Sequence, residues 1–201
     1  PDIVETNDNW VDLPEAQTLI DLGMNPTNDL DSAIYSCLPP GAYTVFLSGV
    51  GGVSGIGIVE IFDADSGTPF LNSISTRSPV DTVHQVAIGG FIIDGDQSKQ
   101  VLIRGRGPSV GVPEGVTRLS NPTITLYNSE GPVVSNDNWG DAANATEIEA
   151  TGMAPDDALD SAILMTLDPG SYTAILSGVG GVTGVGIVEV VDVSGSVIAA
   201  Q

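Results

Sequence analysis

Two short clusters of hard oxygen ligands are the residues of this chain best suited to chemistry. Asp137, Asn138 and Asp141 fall within one turn, and Asp8, Asn9 and Asp12 repeat the pattern near the start. Calcium takes about six to eight oxygens, which loops supply from side chains and carbonyls. Ca2+ is therefore the one cofactor these clusters would suit, and no other residue pattern requires a cofactor. Further acids stand at Asp156, Asp157 and Asp160, and at Asp63 and Asp65. The spacing completes no calcium motif, and Asn and Asp also make Asx-turns and helix caps without a metal. Both readings stay open at this level.

Catalytic constellations fail on inventory, so no enzyme activity is expected. His84 is the only histidine and Cys37 the only cysteine, which leaves too few nitrogen and sulfur ligands for an ordinary zinc site. Neither Ser48 nor Ser177 lies in a Gly-x-Ser-x-Gly elbow. The run Gly178-Val179-Gly180-Gly181-Val182-Thr183-Gly184 lacks the spacing of a nucleotide loop and leads into a strand pattern, so a tight turn or bulge is the better reading. Cys37 cannot form an intramolecular disulfide and reads as a small core hydrophobe. The one allowed glycosylation sequon is Asn144-Ala145-Thr146.

What must position the Asn/Asp turns is a β scaffold. The 201 residues include 25 Gly and 13 Pro, and 41% are hydrophobic with few aromatics, a composition of short strands joined by turns. Twenty-six acidic residues against five basic give a net charge of −21. Such a surface repels nucleic acid and anionic membranes, and no apolar run reaches the roughly 18 residues of a membrane span. The chain opens on Pro1 rather than Met, which reads as a processed or truncated terminus.

An internal repeat organises the whole. Asn7-Asp8-Asn9-Trp10 recurs as Asn136-Asp137-Asn138-Trp139, and at the same offset of 129 Leu30-Asp31-Ser32-Ala33-Ile34 recurs as Leu159-Asp160-Ser161-Ala162-Ile163. Between Asn7 and Phe62 about 30 of 56 positions are identical without a gap. The expected organisation is the back half of a first unit at 1–67 and a complete second unit at 68–201, with front half 71–131 and back half 132–201. Within that unit, Val101-Leu102-Ile103-Arg104-Gly105 can be laid on Ala174-Ile175-Leu176-Ser177-Gly178, and the strand beginning at Ile124 on that beginning at Val188. This predicts two related half-domains facing each other.

Alternation predicts strands at 84–93, 100–106, 122–128, 160–167, 171–178 and 185–193. In 100–106, Val101 and Ile103 share one face and Leu102, Arg104 and Arg106 the other. One short helix per unit is expected, at 145–151 capped by Asn144 with Glu147, and at 13–22 with Asp12 and Glu15 at capping-box spacing. Gly152 and Gly23 would end them. The fold class is therefore all-β, with tandem β-sandwich units of about 129 residues and at most one short helix in each.

Five motifs in order resemble a tandem domain of large secreted bacterial surface proteins. They are Ile74-Ser75-Thr76-Arg77, Ile88-Gly89-Gly90-Phe91-Ile92, Arg104-Gly105-Arg106-Gly107-Pro108-Ser109, Asn136 to Trp139, and a Pro169-Gly170-Ser171-Tyr172-Thr173 hairpin. The hairpin half is also similar to bacterial pre-peptidase C-terminal domains, which are non-catalytic β-sandwiches. The resemblance implies an extracellular or cell-surface, repeat-forming module and carries no activity over to particular residues.

Charge placement points to assembly. All five basic residues, Arg77, Lys99, Arg104, Arg106 and Arg118, lie within 77–118, where four acids leave a net of +1, while the rest of the chain carries −22. Either these arginines pair within their own sandwich, or a near-neutral front half docks on an acidic back half of the same chain or the next. The segment Ile3-Val4-Glu5-Thr6 matches the returning arm of a hairpin whose outgoing strand, the equivalent of 123–129, is not in its unit. An orphan strand invites strand addition. Ile3, Val4, Arg104, Arg106, Trp10 and Trp139 are thus candidate subunit-interface residues. The function expected is a structural subunit of an extracellular bacterial filament or surface layer, assembled head-to-tail by sandwich packing and strand complementation. Its partners would be copies of itself or neighbouring repeats. The alternative is a non-catalytic spacer or carbohydrate-binding module of a secreted enzyme or adhesin.

Overall fold

Short β-branched and aliphatic runs between Gly, Pro and Asn turns become strands only where another strand can pair with them, and this chain shows both outcomes. The computed structural model describes residues 3–64, 73–82 and 86–195. The chain divides into two compact units, Pro1–Phe70 and Leu71–Gln201. No helix among the described residues is long and apolar enough to cross a membrane.

Unit 2 contains strands β1 (Ser73–Val80), β2 (Ala87–Ile93), β3 (Lys99–Arg106), β4 (Pro122–Asn128), β5 (Gly131–Asn136), β6 (Ser161–Leu167), β7 (Gly170–Gly178) and β8 (Gly184–Asp192). They form two antiparallel four-stranded sheets, in the orders β1-β8-β3-β6 and β2-β7-β4-β5. The all-β expectation holds here. The strand expected at 84–93 is seen from Ala87; its first residues, His84 among them, lie outside the described residues. Strand β1 was not foreseen. Its sequence is mostly polar and holds Pro79, which only an edge position tolerates.

The two halves do not face each other as separate bodies. Taking 71–131 as front and 132–201 as back, every strand pairing among the described residues joins a front strand to a back strand, and each sheet alternates front and back. Adding four to each strand number turns β3 into β7 and β4 into β8, the two correspondences read from the sequence. The same shift converts one sheet's order into the other's reversed. The halves are thus related but interleaved. Interleaving also removes the expected 169–173 hairpin: β6 and β7 lie in different sheets, so the Pro169-Gly170 turn carries the chain across the sandwich. The hairpin that does form joins β4 to β5, where Asn128 Oδ1 accepts the Glu130 and Gly131 N–H groups at 2.9 and 3.2 Å.

Between the sheets lies a core from both, including Val101, Ile103, Ile124, Leu126, Ile163, Leu176 and Val188. A second cluster covers the outer face of the first sheet: Leu102, Ala162, Leu164 and Val191 pack with Ile148, Trp139 and Met153 from the segment linking β5 to β6. That sheet is covered on both faces, which is why Val101, Leu102 and Ile103 are buried in succession. In β4 the pattern alternates, with Pro122, Ile124 and Leu126 buried and the threonines between them half-exposed.

The linking segment carries a single 3-10 turn at Trp139–Asp141 and the short helix α2 (Ala145–Ala150). The expected cap at Asn144 is not made by its side chain; the amide instead donates to the Leu164 carbonyl at 2.9 Å, tying the helix to β6. That bond also occupies the acceptor nitrogen of the sequon.

Unit 1 repeats the small elements and no others. A 3-10 turn spans Trp10–Asp12, helix α1 spans Ala16–Leu22 rather than starting at 13, and a second 3-10 turn spans Val50–Gly52. No side chain caps α1 at its start, so no capping box forms, while Gly23 closes its end at φ 68°. Among the described residues of this unit there is no strand. The sandwich is therefore a property of unit 2, and Cys37, expected in a core, is exposed.

Candidate docking seam

The Asn/Asp turn is a hydrogen-bonded cage built from one residue outward. Asn136 Oδ1 accepts the Ala162 N–H at 2.9 Å, and its Nδ2 donates to the Asn138 carbonyl at 3.0 Å. The Trp139 N–H donates to the Asp160 carbonyl at 2.9 Å, and its indole Nε1–H to the Asp157 carbonyl at 3.2 Å. Asp157 Oδ1 in turn accepts the Leu159 N–H at 2.9 Å, an Asx-turn. Unit 1 makes each bond again. Asn7 bonds Ala33 and Asn9, both at 3.0 Å, Trp10 bonds Asp31 at 2.8 Å and Asn28 at 3.1 Å, and Asn28 bonds Leu30 at 2.9 Å.

The candidate metal residues sit on the outside of this cage. Asp8 and Asp137 are exposed. The Asn9 amide donates to Asp12 at 3.2 Å, and the Asn138 amide to Asp141 at 3.3 Å. Turn formation thus uses the Asn9 and Asn138 amides and the Asp12 and Asp141 carboxylates, while Asn138 Oδ1 is buried without a hydrogen-bond partner. Among the described residues no group of three or more His, Cys, Asp or Glu is placed to hold a metal ion.

The two tryptophans serve their own units. Trp10 is buried, and the partly buried Trp139 packs against the outer cluster around Leu102 and Ile148. Ile3 and Val4 are exposed.

Arg104 and Arg106 share one face of β3, as their spacing predicted; it is the outer face, and both converge on Glu189 of β8. Arg104 Nη2 lies 3.0 Å from Glu189 Oε2 and Arg106 Nη1 lies 3.3 Å from it. Arg104 Nη1 also donates to the Met153 carbonyl at 2.7 Å, and Arg106 Nε to Ser109 Oγ at 2.9 Å. Of the two uses foreseen for these charges, the structure displays pairing within the same sandwich. At the end of the same sheet Lys99 Nζ lies 3.2 Å from Asp192 Oδ2. Burial pushes the Asp192 carboxyl upward, but hydrogen bonds from the Ser194 hydroxyl and N–H, and from Lys99, outweigh it and hold the group below its ordinary value.

Each of these ion pairs joins a front residue to a back residue. So does the contact that the sequence reading missed. Asp160 is fully buried, and its Oδ1 accepts the Gly107 N–H at 2.8 Å. Beside it the buried Ser161 hydroxyl donates to the Gly105 carbonyl at 3.0 Å. A Cβ on Gly105 would meet the side chains of Ser161 and Leu176, so only glycine lets β3 approach this closely. The signal was present in the repeated Leu-Asp-Ser-Ala-Ile segment, an acid held at the mouth of an apolar strand. Gly184 closes the seam's other end at φ 153°, against the backbone of Arg118 and Leu119.

No family model matches this chain, and no curated protein matches it. Among solved structures it is similar to the catalytic domain of a GH87 alpha-1,3-glucanase in complex with tetrasaccharides, at 14% identity and a TM-score of 0.28. The likeness covers 63% of this chain and 27% of that one, so the chain spans about a quarter of that protein's length. At that score it carries no argument about fold or activity.

Proposed function

We propose that this chain is a structural, non-catalytic module of an extracellular bacterial filament or surface layer, built from tandem repeat units and joined to its neighbours by strand complementation. One observation carries the reading: among the described residues, all six strand pairings of the sandwich join a front half to a back half. A half-unit of this kind is completed only by its complement, and an exposed sheet edge is a template for an added strand. The motif order that resembles secreted bacterial surface repeats and the net charge of −21 support the location. Calcium bound at the Asp8/Asn9/Asp12 and Asp137/Asn138/Asp141 turns would tighten the assembly without being needed for the fold.

The test is negative-stain electron microscopy of the purified chain with calcium and then with excess EDTA. Regular fibres or sheets are expected, and their loss in EDTA would assign the turns to a metal. Dispersed particles under every condition would contradict assembly and favour a spacer or carbohydrate-binding module.

A further inference from the structure

Unit 2 shows which neighbours cover the back half of a unit, and unit 1 shows the same residues without them. Leu176 is fully buried, whereas its counterpart Leu47 is 51% exposed. Val188 is 1% exposed and its counterpart Val59 46%, while Ile163 is 5% exposed and Ile34 48%. Glu189 binds two arginines; its counterpart Glu60 has no basic partner among the described residues. In unit 2 the covering groups are the front strands β1 to β4, which flank β6, β7 and β8 in both sheets.

We infer that residues 30–62 are an acceptor for a front-half repeat segment with the chemistry of 73–131, one that residues 1–201 do not themselves supply. This rests on the strand-complementation reading and names its partner. Sequence and topology specify that partner closely. It brings an apolar strand like Val101-Leu102-Ile103 to lie between the 32–38 and 55–63 segments. It also carries an arginine to meet Glu60, and a glycine where Ser32 approaches. Copies of residues 1–201 alone do not satisfy the demand. Residues 1–201 hold two back halves and one front half, so any exchange among copies leaves one back half uncovered per chain.

Register gives the test. Gln100 pairs with Thr166 in unit 2, and the counterpart of Thr166 is the exposed Cys37. A segment 71–131 carrying Gln100→Cys, activated as a mixed disulfide with thionitrobenzoate, is mixed with the full chain. Paired antiparallel positions stand within disulfide reach; the Cys37 thiolate attacks the activated sulfur, a disulfide forms and thionitrobenzoate leaves. Rapid cross-linking is expected with Gln100→Cys, and much slower cross-linking with the same segment carrying Gln97→Cys. Donor Arg104→Glu should slow the reaction, and Glu60→Arg in the acceptor should restore it. Equal rates for the two cysteine positions would overturn the inference. Should the free segment be insoluble, the same segment linked ahead of residue 1 reads the same pair, and failure to cross-link there overturns it equally. Specific cross-linking without fibres would sink the filament reading while leaving the acceptor intact; fibres without it would do the reverse.

Discussion

Residues 30–62 and 159–191 are near-copies in sequence and different in structure. Both carry Leu-Asp-Ser-Ala-Ile, the Pro-Gly turn with its tyrosine, and the Leu-Ser-Gly-Val-Gly-Gly-Val run. In unit 2 they are three strands, and in unit 1 no strand forms among the described residues. What the copies share is local. The Asn/Asp cage closes over at most 26 residues in each, and Tyr43 and Tyr172 each donate to a carbonyl four residues back, at 2.7 and 2.9 Å. What they do not share is long-range: β6, β7 and β8 exist because front strands bond to them. Strand preference measures fit to a pleated, covered surface more than an intrinsic backbone choice, and this chain separates the two.

Core truncation should break the comparison most sharply. Leu176→Ala empties a site packed by both sheets and should destabilise unit 2 by about 2–5 kcal/mol in urea unfolding. Leu47→Ala should change unit 1 by no more than about 0.5 kcal/mol, as at an ordinary surface position. A similar cost for both would mean that unit 1 has a core of its own.

Next comes the buried latch. Asp160→Ala orphans the Gly107 N–H and should cost about 1–3 kcal/mol, while Asp160→Asn retains an acceptor and should cost less. Asp31→Ala, at the exposed counterpart, should be close to neutral in the same unfolding measurement. Glu189→Gln should cost about 1 kcal/mol, a modest figure because the arginines are partly screened by water, and Glu60→Gln should leave the free chain unchanged.

The smallest effect is a pH dependence. Asp192 is depressed in the folded state, so the stability it adds is present above the unfolded carboxylate value of about 3.9 and is lost as pH falls through the lower folded value. The gap between the parent and Asp192→Asn should therefore be constant near neutrality and close in acid. A gap that persisted well below pH 3.9 would contradict the clamp.

The chain's own pattern revealed most of the second unit. Six of its strands were legible because Val, Ile and Leu alternate between turn residues, and the alternation in 100–106 set Val101 and Ile103 on one face and Leu102, Arg104 and Arg106 on the other, without saying which face would be covered or that both would be. Strand β1 was not legible, since Ser, Thr, Arg and Pro carry no apolar alternation at an exposed edge. The interleaving was hidden for another reason: pairing partners of a strand are chosen by the whole sandwich, and the Pro169-Gly170 turn reads alike whether it closes a hairpin or crosses between sheets. The Asn144 cap was misread because its amide found a tertiary acceptor in Leu164. The front-to-back ion pairs were half legible, as the charge asymmetry left open pairing within one sandwich or docking of front on back, and did not say which acid meets which arginine.

Hydrogen exchange on the whole chain compares the two copies most directly. Amides of 163–191 should be strongly protected, those of 34–62 should exchange at close to unstructured rates, and the cage donors Trp10, Ala33, Trp139 and Ala162 should be protected alike. Equal protection across 34–62 and 163–191 would contradict the claim that the back half needs a donated front half to become a sheet.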